Sequence, residues 1–275
     1  MAELLADLDP SLVPSRTDDP AEAARLMHTE GAAILTGLPI GKDTADGLAR
    51  RVLGERVVAA PEPIAVREGG DKDRKVTERD GHLVALPMHT DGFVYGHEAP
   101  DAMFLLCDVD SAEGGESVLI DDWAVLDALA AEPEGSEGRR LADFLTGTVL
   151  DLTSEGMVAR RGTMVTTTAA GRRLFWLGVL SGCMRPMPDD PDPQGTLALF
   201  DEVAALFEQL RRRATRFRVA PGEAICVDNH RFSHSRDAYT DTDRLFWRVW
   251  AWTDLAVGVP EGRLASDTRY AAADG

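Results

Sequence analysis

At 275 residues, with 44% hydrophobic and 28% charged side chains, the chain has an ordinary globular balance and a length at which a large β-rich domain stays single. A formal net charge of −18 repels phosphate backbones and anionic lipid, and no apolar run approaches the about eighteen residues a helix needs to cross a bilayer, which argues against nucleic-acid and membrane partners. One domain over residues 1–275 with a small-molecule partner is the expectation, and a homo-oligomer is compatible with it.

The N-terminal stretch from Met1 to Asp7 is acidic where a secretory or mitochondrial presequence is basic. Cys107, Cys183 and Cys226 are an odd, widely spaced set without a CxxC pair, which argues against a disulfide framework and a zinc knuckle. A reducing cytoplasm is the expected location. Cys107 and Cys226 lie in apolar runs and read as packing residues.

In chain order, Asp19-Pro20 supplies a cap and a first-turn proline for a helix over residues 21–27, followed by a buried strand over 32–37. A second helix is expected over 44–52, closed by Gly54. Residues 67–81 are dense in charge and glycine and read as a surface loop, either a lid over a site or merely solvated. Apolar runs at 102–107 and 118–120 are core strands, separated by Gly114-Gly115-Glu116-Ser117.

Helices follow at 123–131 and 139–145, and residues 163–168 and 173–177 form a hairpin. Prolines exclude regular structure from 187–193. An amphipathic helix spans 197–212, its last turn carrying Arg211-Arg212-Arg213, where cations favour the helix dipole. Strands at 224–227 and 243–253 close the chain. Many short strands, few helices and no βαβ alternation predict a mainly β fold with flanking helices, an antiparallel sandwich or barrel.

The chemistry gathers in two stretches. His89 and Asp91, two residues apart on an extended segment, present an imidazole and a carboxylate to one side. A distant histidine completes a two-histidine, one-carboxylate facial triad suited to non-haem Fe(II). His230 and His234 share parity, so periodicity leaves both as the third ligand. On the final strand Arg244, Phe246, Arg248, Trp250 and Trp252 share a face. A guanidinium on an apolar strand is costly unless it meets an anion, and a dicarboxylic co-substrate supplies one. Four strand residues span about 13 Å, so one arginine is assigned to a co-substrate and the other to a substrate acid. Trp247, Trp250 and Trp252 read as core. His28 reads as structural, and His82 and His97 as surface or lining residues.

His89-Thr90-Asp91, Gly114-Gly115-Glu116-Ser117, Asp228-Asn229 and the paired Arg244 and Arg248, in that order, resemble the Fe(II)/2-oxoglutarate dioxygenases of the taurine dioxygenase, clavaminate synthase and γ-butyrobetaine hydroxylase superfamily. The resemblance implies a double-stranded β-helix (jelly-roll) core, with His89, Asp91 and His234 as catalytic iron ligands. It implies that Arg244, assisted by Ser117, binds the distal carboxylate of 2-oxoglutarate, that O2 is the second co-substrate, and that Arg248 faces the substrate's acidic group. Where that family often has Gly-Arg after the distal histidine, this chain has Ser235-Arg236.

Related halogenases lack the carboxylate ligand, so Asp91 favours hydroxylation, desaturation or related oxidation over chlorination. The expected reaction is hydroxylation of an unactivated C–H of a small amino-acid-like or carboxylate-bearing substrate. Three lysines against 26 arginines suggest a GC-rich bacterial genome and point weakly to natural-product biosynthesis. Catabolism of a sulfonate or other small acid is the alternative. A zinc hydrolase and a non-catalytic barrel-fold module are the competing classes, and the hydrolase leaves Arg244 and Ser117 without a role.

Overall fold

The computed structural model describes residues 8–54, 57–65, 85–153, 159–168, 171–178, 184–241 and 243–260. The charged stretch at 67–81, His82 and Cys183 lie outside the described residues.

The architecture is layered, and alternation along each strand builds it. Six strands form the larger sheet in the order β1 (Ser15–Thr17), β2 (Ala32–Leu35), β12 (Ala224–Asp228), β5 (Ala102–Val109), β14 (Leu245–Trp252) and β3 (Val58–Ala65). Its pairings are antiparallel except β1 with β2. A second sheet of three strands, β4 (Leu86–His89), β13 (Phe232–Arg236) and β6 (Ser117–Asp121), lies across from it.

One face of the large sheet, carrying Phe104, Leu106, Cys226 and Val249, is covered by α1 (Pro20–Thr29) and α2 (Lys42–Leu53) through Leu26, Met27, Leu48 and Val52. Its other face carries Met103, Ile225, Phe246 and Trp250, which pack with Leu119 and Phe232 of the small sheet. The outer face of the small sheet, Val118 and Ile120, is sealed by α3 (Asp122–Ala131), α4 (Glu137–Gly147) and α5 (Pro193–Arg213) through Val125, Leu129, Phe144, Val203 and Leu206. On β6 and β14 the change from helix-facing to sheet-facing side chains follows the two-residue period.

Two expectations are corrected. The larger sheet is mixed through its one parallel pair, and of the expected sandwich or barrel no closed barrel forms among the described residues, because the large sheet ends at β1 and β3 rather than closing on itself. The prolines at 187–193 do not all exclude helix: α5 begins at Pro193, with Asp192 capping through a 3.0 Å bond from the Gly195 N–H. Proline suits the first helical turn, where its missing donor is not needed.

Strand β3, which holds Pro61 and Pro63, was not expected, and it sits at the sheet edge where a proline interrupts least. The hairpin forms as β9 (Val165–Thr167) with β10 (Arg173–Phe175). Short strands β7 (Leu150–Asp151), β8 (Arg161–Gly162) and β11 (Arg185–Pro186) make a further small sheet. Among the described residues no helix is long and apolar enough to cross a membrane.

Candidate metal centre

The two sheets face each other across one cavity, and His89, Asp91, Ser117, His234, Arg244 and Arg248 all line it. His89 ends β4 and His234 is its register partner on β13, so antiparallel pairing places the two imidazoles side by side with ring centroids 4.3 Å apart. Asp91 Oδ1 lies 3.8 Å from His89 Nε2 and 3.9 Å from His234 Nε2. Ligand atoms of the three residues all lie within 4.8 Å of one another.

Asp91 reaches this position by a route other than strand alternation. Strand β4 stops at His89, and Thr90 turns away, its N–H donating to the Leu177 carbonyl and its Oγ1 accepting from the Leu177 N–H. Asp91 then lies in a turn completed by Gly92 at φ 74°, where an added Cβ would lie 2.3 Å from the Pro100 ring. Asn229 holds that turn. Its Oδ1 accepts the Asp91 N–H at 2.9 Å, while its Nδ2 donates to the carbonyls of Asp91 at 3.0 Å and Pro100 at 2.7 Å. Asp228 is bound to Arg172 and accepts the His230 N–H.

The histidines are prepared as ligands. His89 Nδ1 lies 2.8 Å from the Pro87 carbonyl, which only accepts, so Nδ1 carries the proton and Nε2 offers its lone pair. Burial, and secondarily the closeness of the His89 imidazole, pulls the pKa of His234 well below its ordinary value and keeps the ring neutral, as a metal ligand requires. His230, the other candidate by parity, is buried outside this cluster. Burial pushes its imidazole down to about 3.

Ser117 opens β6 after a tight turn in which Gly114 at φ 74° passes against the Ala238 carbonyl, with room for no side chain. Arg244 is 6% exposed and lies between aromatic rings, 3.9 Å from the Phe246 centroid and 4.8 Å from that of Tyr239. Its Nε has no hydrogen-bond partner among the described residues. The Asp110 carboxylate is 3.8 Å away and already bound by Arg218. Burial lowers the Arg244 pKa, opposed by Tyr239 and Asp110. A buried cation with an unsatisfied donor, facing a cavity, fits the carboxylate of a bound acid.

Arg248 is placed differently, its Nη1 3.1 Å from Asp91 Oδ1. The other Asp91 oxygen accepts the Trp250 Nε1–H at 2.8 Å. The indole N–H of each of the three tryptophans on β14 finds an acceptor, Trp247 on Asp108 and Trp252 on the Glu98 carbonyl. That Trp250 reaches Asp91 was not read from the sequence. Its parity with Arg244 and Arg248 was the only signal that it faced the site.

Residues 3–143 and 154–250 match the family described as taurine catabolism dioxygenase TauD, TfdA family. The chain belongs to this family. The protein is therefore an Fe(II)- and 2-oxoglutarate-dependent dioxygenase, and the donor set agrees: two neutral imidazoles and a carboxylate suit Fe(II), and the described ligands include no thiolate.

Solved structures share the fold of this TauD-family member. An asparagine oxygenase in complex with Fe(II), 3-hydroxyasparagine and succinate superimposes with a TM-score of 0.56 at 15% identity, covering 91% of this chain and 83% of its own. PvcB from Pseudomonas aeruginosa gives 0.55 at 16%, covering 88% and 82%. A PvcB structure described as an Fe, alpha-ketoglutarate dependent oxygenase from an isonitrile synthetic pathway gives 0.55 at 14%, covering 90% and 86%. Comparison with curated protein sequences finds no match.

Proposed function

We propose that this enzyme hydroxylates an unactivated C–H of a small amino-acid-like or carboxylate-bearing substrate, with His89, Asp91 and His234 holding the iron. The observation that carries the reading is the convergence of those three side chains with Arg244, Arg248 and Ser117 on one cavity. When bound, Fe(II) with 2-oxoglutarate and O2 supplies the oxidising power, the co-substrate leaving as succinate and CO2.

The chain's own part is positioning. Arg244, with Ser117, takes the distal carboxylate of 2-oxoglutarate and sets how deep it enters the cavity. Its guanidinium forms a bond there that it lacks among its neighbours. Arg248, whose Nη1 is on Asp91, lines the cavity where the substrate's acid would lie. Met103, Leu105, Ile225 and Phe246 line the cavity with apolar surface that excludes water around the reacting C–H. Among the described lining residues Asp91 is the one carboxylate against Arg236, Arg244 and Arg248, so within an acidic protein the cavity favours anionic ligands.

The structural neighbours named for asparagine oxidation and isonitrile synthesis support an amino-acid-like substrate and a natural-product setting. A small sulfonate is the competing substrate, supported by the family's description in terms of taurine. We further propose that the chain is one domain and that the two facing sheets are the halves of a jelly-roll core.

The test is succinate formation from 2-oxoglutarate with Fe(II), repeated with Zn(II), against a panel of amino acids, small carboxylic acids and sulfonates. Fe(II)-dependent succinate stimulated by an amino acid or carboxylic acid is expected. Stimulation by sulfonates alone overturns the substrate class, and metal-independent turnover overturns the ligand assignment.

A further inference from the structure

Asp91 has two oxygens, and the structure separates them. Oδ1 faces His89 Nε2 and His234 Nε2 at 3.8 and 3.9 Å. Oδ2 accepts the indole N–H of Trp250 at 2.8 Å. We propose that Trp250 is a positioning residue for the metal: its N–H holds Oδ2 so that Asp91 ligates through Oδ1 alone. This rests on the assignment of His89, Asp91 and His234 as the iron ligands.

An indole N–H is a donor only, so Trp250 anchors the carboxylate and does not compete for the metal. A bond from a neutral donor to an ionised acceptor is among the stronger hydrogen bonds. The ring that carries it is well fixed. Tyr95 and Trp252 meet it edge to face at 6.0 and 6.5 Å between centroids, and the Arg248 guanidinium lies 4.2 Å from its centroid.

For Asp91 to bind a metal through both oxygens, the carboxylate must rotate Oδ2 toward the histidines and break the indole bond. The consequence concerns free positions. A facial triad serves its chemistry through the positions it leaves open, and a two-oxygen aspartate closes one of them. On this view the aromatic packing of β14 against Tyr95 protects the vacancy that the co-substrates need.

Trp250→Phe keeps an aromatic ring in this packing, smaller than the indole, and removes the donor. Titrating the purified protein with Co(II), as a coloured probe for the Fe(II) site, is expected to show a dissociation constant raised about 10- to 100-fold, the range for loss of an outer-shell partner. The visible absorption of the bound Co(II) is expected to change with its coordination, in a metal-free protein that remains folded by circular dichroism. An unchanged dissociation constant with an unchanged spectrum overturns the proposal.

Asp91→Ala in the same titration separates the two levels. If it abolishes Co(II) binding while Trp250→Phe changes nothing, the ligand assignment stands and the role of Trp250 fails. If it leaves binding intact, the ligand assignment itself fails. The bond is also read without altering Trp250. In protein labelled at the indole nitrogens, Asp91→Ala is expected to move one of the five tryptophan N–H resonances and hasten its exchange with water. Five unmoved resonances overturn the proposal even where Trp250→Phe does not fold.

Discussion

The two faces of the three-stranded sheet each bury an aspartate, and the two carboxylates are treated in opposite ways. On the inner face Asp91, 2% exposed, has Arg248 on one oxygen and Trp250 on the other, with two histidine nitrogens beside the first. On the outer face Asp122, 0% exposed, accepts the Ser233 hydroxyl at 2.7 Å on Oδ1, and its Oδ2 has no partner among the described residues. Ser233 and His234 are consecutive on β13, so one step along the strand moves from one environment to the other. Burial alone does not make a site. What distinguishes the inner carboxylate is the donors aimed at it and the cavity in front of it.

The largest expected effect is at the inner carboxylate. Replacing Asp91 by asparagine or alanine removes a ligand itself, so Fe(II) affinity should fall by more than the about 100-fold that marks the upper range for outer-shell losses. Succinate formation should fall with it. Equilibrium metal titration and a coupled succinate assay check both, and undiminished succinate production counts against Asp91 as a ligand.

Arg244, on the same inner side but away from the metal ligands, should behave differently. On the proposed assignment, Arg244→Met breaks a buried charge pair with the co-substrate, a loss of about 2–5 kcal/mol. That corresponds to a rise of about one and a half to three and a half orders of magnitude in the KM for 2-oxoglutarate. Metal affinity should be unchanged, since no metal ligand touches Arg244. Arg244→Lys should recover little, because a compact ammonium cannot reproduce a planar two-donor fork. If metal affinity falls together with 2-oxoglutarate affinity, the division of labour between the two ends of β14 is wrong.

Much of the inner face was legible in the sequence because it depends on parity. The alternation of Arg244, Phe246, Arg248 and Trp250 placed them on one side of a strand, and the histidine spacing placed ligands on facing segments. Parity says which face a side chain occupies, not what it meets there. It left His230 and His234 equal until β13 paired His234 with His89, and it gave no hint that Trp250 donates to Asp91. Asp91 itself was reached by the wrong step, since an asparagine 138 residues away, rather than strand alternation, fixes its turn.

Helices with local caps, such as that begun by Asp19-Pro20, were read within a few residues of their ends. Strand order was not legible, because β12 between β2 and β5, or Pro-containing β3 at an edge, depends on contacts between segments far apart in sequence.

The outer carboxylate gives the smallest predicted effect, and one of opposite sign. Burial, reinforced by the charge of neighbouring Asp121 and opposed by the Ser233 hydroxyl, raises the pKa of Asp122 well above 3.8. The folded state therefore binds the Asp122 proton more tightly than the unfolded chain does. The associated stability is fully present below about pH 3.8, and it is lost as pH rises through the elevated folded value. Asp122→Asn cannot ionise and keeps an oxygen to accept from Ser233. At neutral pH the variant should be more stable than the parent, because it is spared the cost of a buried carboxylate that the parent must either ionise or keep protonated. The gain is read as a rise in Tm. The gain should shrink toward zero as pH approaches 4, and metal affinity should not move, because Asp122 lies on the far side of β13 from the cavity. Thermal melts of both proteins from pH 4 to 8 check the sign directly. A variant less stable at neutral pH would show that the outer carboxylate is satisfied after all, and that the contrast between the two faces is one of position rather than of hydrogen bonding.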